Sequence, residues 1–186
     1  MSTFFIIHGV QGSPEENWFP WLKTELEKLG HKIIVPQFPT PEGQTLENWM
    51  KVMKEYEKDL TPETIVIGHS LGVPFLMSVI EKHPVKTAYL VAGYHPHTLP
   101  KTSVWYECVK TFIEKPFDWE KIRKNSRHFY MYHSDNDPYF STSLAEDLAR
   151  DLNTKVMWVK GAGHFNTAAG YDQFELLLEK IKTELE

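Results

Sequence analysis

The sequence predicts a three-layer α/β domain on a mostly parallel six-stranded sheet. Short apolar runs alternate with amphipathic segments from one end of the 186 residues to the other. The apolar runs are nearly continuous, as expected of strands covered on both faces. Their β-α-β-α order implies doubly wound connections, with helices on both sides of the sheet. The length suits one domain, residues 1–186, with a real core and no second independent unit.

The elements follow in order. A strand is expected over 3–7 (Thr-Phe-Phe-Ile-Ile) and a helix over 17–29. In that helix Trp18, Trp21, Leu22, Leu26 and Leu29 share a stripe, and Gly30 stops it. A strand at 32–35 leads through a Pro-containing loop, 36–43, to a helix at 45–58 with Leu46, Trp49, Met50 and Met53 on one face. A strand at 64–68 runs into a helix at 71–82, where Pro74 fits the first turn. The strand at 87–92 is followed by the loop 94–102 and a stretch, up to His128, with room for one or two short helices and no separate cap domain. A strand at 128–133, a helix at 143–152 opened by Ser143 and Glu146 at capping-box spacing, a strand at 155–159 and a helix at 171–185 complete the chain. There is no repeat, low-complexity segment or linker.

The stretch 64–72, Thr-Ile-Val-Ile-Gly-His-Ser-Leu-Gly, carries the chemistry. A β-branched strand meets a helix across a tight turn with Ser70 at its apex. Gly68, Ser70 and Gly72 fit G-x-S-x-G, the nucleophile elbow of α/β-hydrolases. Strand and helix pass so closely there that side chains at the flanking positions would collide. The bland alternative is a strand-to-helix turn with an ordinary capping serine.

A serine hydroxyl is a poor nucleophile at neutral pH and needs an adjacent base, itself oriented by an acid. The hydrolase chain order is Ser, acid, His. His164, in Gly-Ala-Gly-His-Phe after the last strand, is the expected base. The acid comes from His133-Ser134-Asp135-Asn136-Asp137-Pro138. Asp137 is preferred because it lies further into the loop that must reach His164. Asp135 suits a turn residue bonded to its own backbone. Oxyanion donors are expected from the Leu71 backbone N–H and, by position in the loop after the first strand, the Val10 backbone N–H.

The other histidines read as structural. His31 and His83 flank helix ends and look exposed, His128 opens a strand, and His69 suits packing. His95 and His97 form a His-Pro-His segment without a neighbouring carboxylate or cysteine, which is weak support for a metal. No cofactor and no metal are expected.

Bulk properties narrow the partners. With net charge −5 and no long basic cluster, nucleic acid is not an expected partner. No apolar run approaches bilayer length, so no membrane association is expected. The first residues lack a cationic leader, and Cys108 is the single cysteine, compatible with a reducing compartment. A cytoplasmic location is expected, with a small molecule as substrate.

The chain resembles the small serine hydrolases of the YdeN and retinoblastoma-binding-protein-nine type, within the α/β-hydrolase superfamily. The resemblance covers nearly the whole chain. It rests on Ile7-His8-Gly9, Trp18-Phe19-Pro20-Trp21-Leu22, Ile67 to Gly72, Phe117-Asp118-Trp119-Glu120-Lys121-Ile122, Asp137-Pro138 and Gly163-His164-Phe165. It implies a three-layer α/β-hydrolase fold with a six-stranded parallel sheet and minimal or no cap. The family's serine, aspartate and histidine fall on Ser70, Asp137 and His164. Some relatives are described as esterase-like or peptidase-like, and one is associated with pocket proteins. The Leu-x-Cys-x-Glu pattern behind that association is absent, since Tyr106 and Lys110 stand two residues either side of Cys108. That partner is therefore not expected.

Together these features lead to a hydrolase for a small carboxylic ester, thioester or amide. An acyltransferase would differ only in its second acceptor. The rival from another class is a binding protein that keeps the scaffold without the chemistry.

Overall fold

In the computed structural model, which describes residues 1–185, the sheet is six-stranded and wholly parallel, in the order β2-β1-β3-β4-β5-β6. The strands are β1 (Thr3–Ile7), β2 (Lys32–Ile34), β3 (Ile65–His69), β4 (Val85–Val91), β5 (Ser126–Ser134) and β6 (Val156–Val159). The helices are α1 (Phe19–Lys28), α2 (Leu46–Glu55), α3 (Gly72–Ile80), α4 (Tyr106–Ile113), α5 (Trp119–Lys124), α6 (Thr142–Asp151) and α7 (Glu175–Leu185).

The period-2 geometry of a strand sorts the core into two layers. Phe4 and Ile6 of β1, Ile65 and Ile67 of β3 and Tyr89 and Val91 of β4 pack with Phe19, Leu22 and Leu26 of α1 and Leu177, Leu178 and Ile181 of α7. Phe5 and Ile7, Val66, Ala88 and Leu90 face the other way, onto Trp49 and Met53 of α2, the apolar residues of α3, Phe112 of α4 and Leu148 of α6. Both faces of β3 and all nine residues of α3 are buried, which explains the unbroken hydrophobicity of this region.

The chain leaves β1 for β2 on one side and returns to β3 on the other. The switch point therefore lies between the carboxyl ends of β1 and β3, where a parallel α/β sheet opens its crevice. The loop after β1 and the turn after β3 meet there.

Several expectations are corrected in detail. β5 starts two residues early and runs for nine, because Ser126 pairs with Val85 at the start of β4. The helix expected from residue 171 begins at Glu175. The helix expected to reach residue 58 ends at Glu55, followed by a 3-10 turn at Glu57–Asp59. The Ser143–Glu146 spacing is not a cap: Ser141 is the N-cap of α6, and Ser143 lies inside the first turn with its hydroxyl 2.9 Å from that of Ser141. His31 and His83 are half-buried rather than exposed. His31 accepts a hydrogen bond from the Ser2 amide and packs edge-on against Phe4. No helix among the described residues is long and apolar enough to cross a membrane.

Candidate active site

The turn after β3 is shaped by close approach. A Cβ on Gly68 would lie 2.8 Å from Leu76 Cδ1 and 2.9 Å from the Gly72 carbonyl oxygen. Ser70 has φ +54°, in the left-handed region that a non-glycine residue enters only under constraint. The constraint is visible: its amide donates to the Val91 carbonyl at 3.0 Å, and its own carbonyl accepts from Val73 N–H at 3.0 Å. The side chain is thus delivered to the end of the sheet, at the start of a nine-residue helix whose N-terminal dipole favours developing negative charge.

Ser70 and His164 line the same cavity, of about 290 Å³. His164 follows β6 and is itself buried. Its Nδ1–H donates to Asp137 Oδ2 at 2.8 Å, which fixes the tautomer and leaves Nε2 as the nitrogen able to accept a proton. The other carboxylate oxygen of Asp137 accepts from the Tyr139 and Phe140 amides, at 2.8 and 3.1 Å. Burial of this carboxyl works against its charge. The bonds from the His164 ring and the two amides outweigh burial and hold Asp137 below the usual carboxylate range. The imidazole of His164 is enclosed by the rings of Tyr139, Phe140 and His69, at 4.8, 5.7 and 5.0 Å.

Asp135 has a different task from the one expected. Its Oδ1 accepts from the Gly161 amide at 2.8 Å, reaching across to the histidine loop instead of closing its own turn. Asn136 does the same for Gly163, also at 2.8 Å, and accepts from the Ser134 hydroxyl. The structure therefore brings Ser70, Asp137 and His164 together and turns Asp135 into an anchor for the loop that carries His164.

The loop after β1 lies against the serine. A Cβ on Gly9 would sit 3.0 Å from Ser70 Cβ. Val10 is half-buried in the cavity wall, and Leu71 is fully buried directly before α3. His8 holds this loop in place: its Nδ1–H donates to the Gly9 carbonyl at 2.8 Å, and its Nε2 accepts from Phe38 N–H at 3.1 Å. The bond to Nε2 needs a neutral ring, and burial lowers the His8 pKa, outweighing the Gly9 bond that raises it.

Other wall residues belong to no motif, although the aromatic-rich stretch that holds Trp105 suits a pocket wall. Gln11, Glu16 and Asn17 come from the β1–α1 loop, and Trp105 and Val109 from the excursion between β4 and β5. Glu16 is the single carboxylate of that wall, and burial pushes its pKa up against a bond from the Ser13 amide. His95 and His97 are engaged elsewhere: His95 Nε2–H donates to Asp151 at 2.9 Å, and His97 Nε2–H donates to the Lys115 carbonyl at 2.8 Å. A larger groove of about 800 Å³, between α2 and the end of α3, has an apolar floor of Leu46, Met50 and Met53, and its described lining contains no serine or cysteine nucleophile.

A family model described as "Serine hydrolase" matches residues 4–183. YdeN of Bacillus subtilis (strain 168) is 28% identical over 181 residues, covering 95% of this chain and 93% of that protein. The serine hydrolase RBBP9 of Rattus norvegicus is 27% identical over 169 residues, covering 90% and 86%. The crystal structure of the ydeN gene product superposes with a TM-score of 0.88 at 26% identity, over 98% of each chain.

Proposed function

The chain belongs to the serine hydrolase family, and on that premise we propose that it cleaves a small carboxylic ester through an acyl-enzyme on Ser70. The observation that carries the reading is the Asp137–His164 hydrogen bond of 2.8 Å beside a cavity shared with a strained serine.

Ser70 Oγ attacks the carbonyl carbon while His164 Nε2 takes its proton. The carbonyl oxygen becomes an oxyanion, received by the Leu71 and Val10 backbone N–H groups and favoured by the N-terminus of α3. Collapse breaks the bond to the alcohol, which leaves with the proton held by His164. Water then enters, gives a proton to His164 and attacks the acyl carbon. The carboxylic acid departs and Ser70 Oγ recovers its proton. Asp137 keeps the imidazole in one tautomer and stabilises the imidazolium formed twice in the cycle.

The cavity volume supports a small substrate, since about 290 Å³ lies just below the roughly 300–1,000 Å³ usual for ligand sites. Trp105, Val109 and Phe140 offer apolar surface for an acyl chain. Thioesters and amides would follow the same path with a different leaving group.

The test is labelling by a fluorophosphonate probe, followed by turnover of short-chain p-nitrophenyl esters. Wild type should label and turn over, whereas Ser70→Ala should do neither. Undiminished labelling of Ser70→Ala would remove the nucleophile from this scheme. The rate should also fall on acidification, because an imidazolium cannot accept the serine proton.

A further inference from the structure

His69, the neighbour of the nucleophile, carries a bond that its place in the motif does not require. Its ring Nε2 lies 2.8 Å from the carbonyl oxygen of His164, 95 residues away in sequence. A carbonyl only accepts, so Nε2 bears the proton. We infer that His69 is a positioning residue: its ring N–H straps the main chain of His164 to the strand that carries Ser70, and so sets the spacing between the two. The inference rests on the proposed roles of Ser70 and His164.

The backbone around His164 needs holding. Gly163 has φ +54° and Phe165 has φ +51°, so left-handed residues flank the histidine on both sides. For phenylalanine that conformation persists only when neighbours over-determine it. Three anchors act on consecutive residues. Asn136 accepts from the Gly163 amide, His69 donates to the His164 carbonyl, and the Trp18 indole N–H donates to the Phe165 carbonyl at 3.0 Å. Asn136 belongs to the loop after β5, and Trp18 directly precedes α1. Only the His69 bond runs from the residue next to Ser70.

The ring is held for this task. It is buried, with Trp18 and Phe19 edge-on at 6.1 and 5.8 Å. Burial, joined by the repulsion that a charged His164 would exert, lowers its pKa to about 3, so the donor does not titrate near neutral pH. Its Nδ1 is buried with no partner. A residue present for packing alone has no reason to carry that cost, since phenylalanine would fill similar space without it.

Three substitutions separate the strap from packing. The side chain introduced by His69→Gln lacks the ring, but its amide nitrogen reaches as far as histidine Nε2. The asparagine amide in His69→Asn reaches only as far as Nδ1, and His69→Phe fills the volume with no donor. On p-nitrophenyl acetate, kcat should fall about 10- to 100-fold in His69→Asn and His69→Phe, the scale of a misplaced reacting group, with KM little changed. His69→Gln should recover most of the loss. Amide hydrogen exchange at residues 163–165 should quicken in His69→Asn and His69→Phe but not in His69→Gln. Equal kcat and equal exchange in His69→Phe and wild type would overturn the strap.

A measurement on the wild type guards against variants that fail to fold. Nitrogen-15 shifts of the His69 ring should show the Nε2–H tautomer with a slowly exchanging proton, and an Nδ1–H ring would overturn the inference. Exchange and tautomer do not depend on turnover. If Ser70→Ala still labels, the hydrolytic reading fails while these two readouts still decide the strap.

Discussion

A Cβ added to Gly72 would come 2.5 Å from the carbonyl oxygen of Ile7 and 3.0 Å from that of His8. No real Cβ tolerates the first of these contacts, and Ile7 is fixed in the sheet by pairing with Gly68. The glycine is the condition under which α3 can start directly over β1 and bring Ser70 beside Gly9.

Gly72→Ala should therefore act on folding and site together. The neighbour is backbone and cannot swing aside, so overpacking should cost about 1–3 kcal/mol or more. Urea unfolding measures the loss. Probe labelling of the folded fraction should fall as well, because α3 must shift away from the loop after β1. An alanine variant with wild-type stability and labelling would show that the helix has room to move.

The two aspartates of the β5 loop should separate by role. Asp137→Asn keeps an acceptor for the Tyr139 and Phe140 amides but loses the charge that orients His164. Its kcat on a p-nitrophenyl ester should drop on the order of 10⁴-fold. Asp135→Asn keeps the oxygen that accepts from the Gly161 amide and should change kcat by only about 2- to 3-fold, the scale of a weakened exposed hydrogen bond. The reverse ranking would move the acid to Asp135.

Stability should decline in mild acid. His8, His69 and His133 are buried, and desolvation lowers the pKa of each in the folded chain. A depressed folded pKa means that the unfolded chain takes up protons first. Their contribution is complete above the unfolded value of about 6.5 and is lost as pH falls below it. For His69, with a folded value of about 3, the loss by pH 5 is about 2 kcal/mol. Asp137 works in the same direction at lower pH, since its folded pKa is also depressed. Urea unfolding at pH 7.5 and pH 5 should show the decline, and His69→Gln should show less of it. A flat profile would mean that these rings ionise without opening the fold.

Trp18→Phe should loosen the histidine loop. It removes the indole donor to the Phe165 carbonyl and leaves a smaller ring against Phe19 and Phe174. The expected loss is roughly 2–4 kcal/mol, from an unsatisfied buried carbonyl and a partial cavity. Thermal unfolding checks the size. Faster exchange of the amides near Phe165 checks the location.

The sheet is legible because its central strands β1, β3 and β4 are buried on both faces and read as unbroken apolar runs; the edge strands β2 and β6 keep short apolar runs although Lys32 and Trp158 on them are exposed. That Ser70, Asp137 and His164 would gather at the carboxyl end of the sheet was legible from spacing and strand order. What escaped is what depends on distance in space. Nothing in the sequence says that Asp135 would reach Gly161, that His8 would bridge Gly9 and Phe38, or that His69 would meet a carbonyl 95 residues on. Local rules also misled where several residues competed. Ser141 took the cap from Ser143, and His31 tucked against Phe4 where position at a helix end had suggested solvent.

Trp105 and Val109 enter the cavity from a segment that contributes no strand to the sheet. Ser70, Asp137 and His164 all stand just past strand ends. That segment therefore supplies part of the cavity wall from outside the strand-end loops, which supply the rest through residues such as Gln11, Glu16 and Phe140. On the proposed reading, exchange of the excursion from Tyr94 to Pro116 would alter that part of the wall and the acyl groups it admits, while the strand ends beneath go on presenting the same three groups.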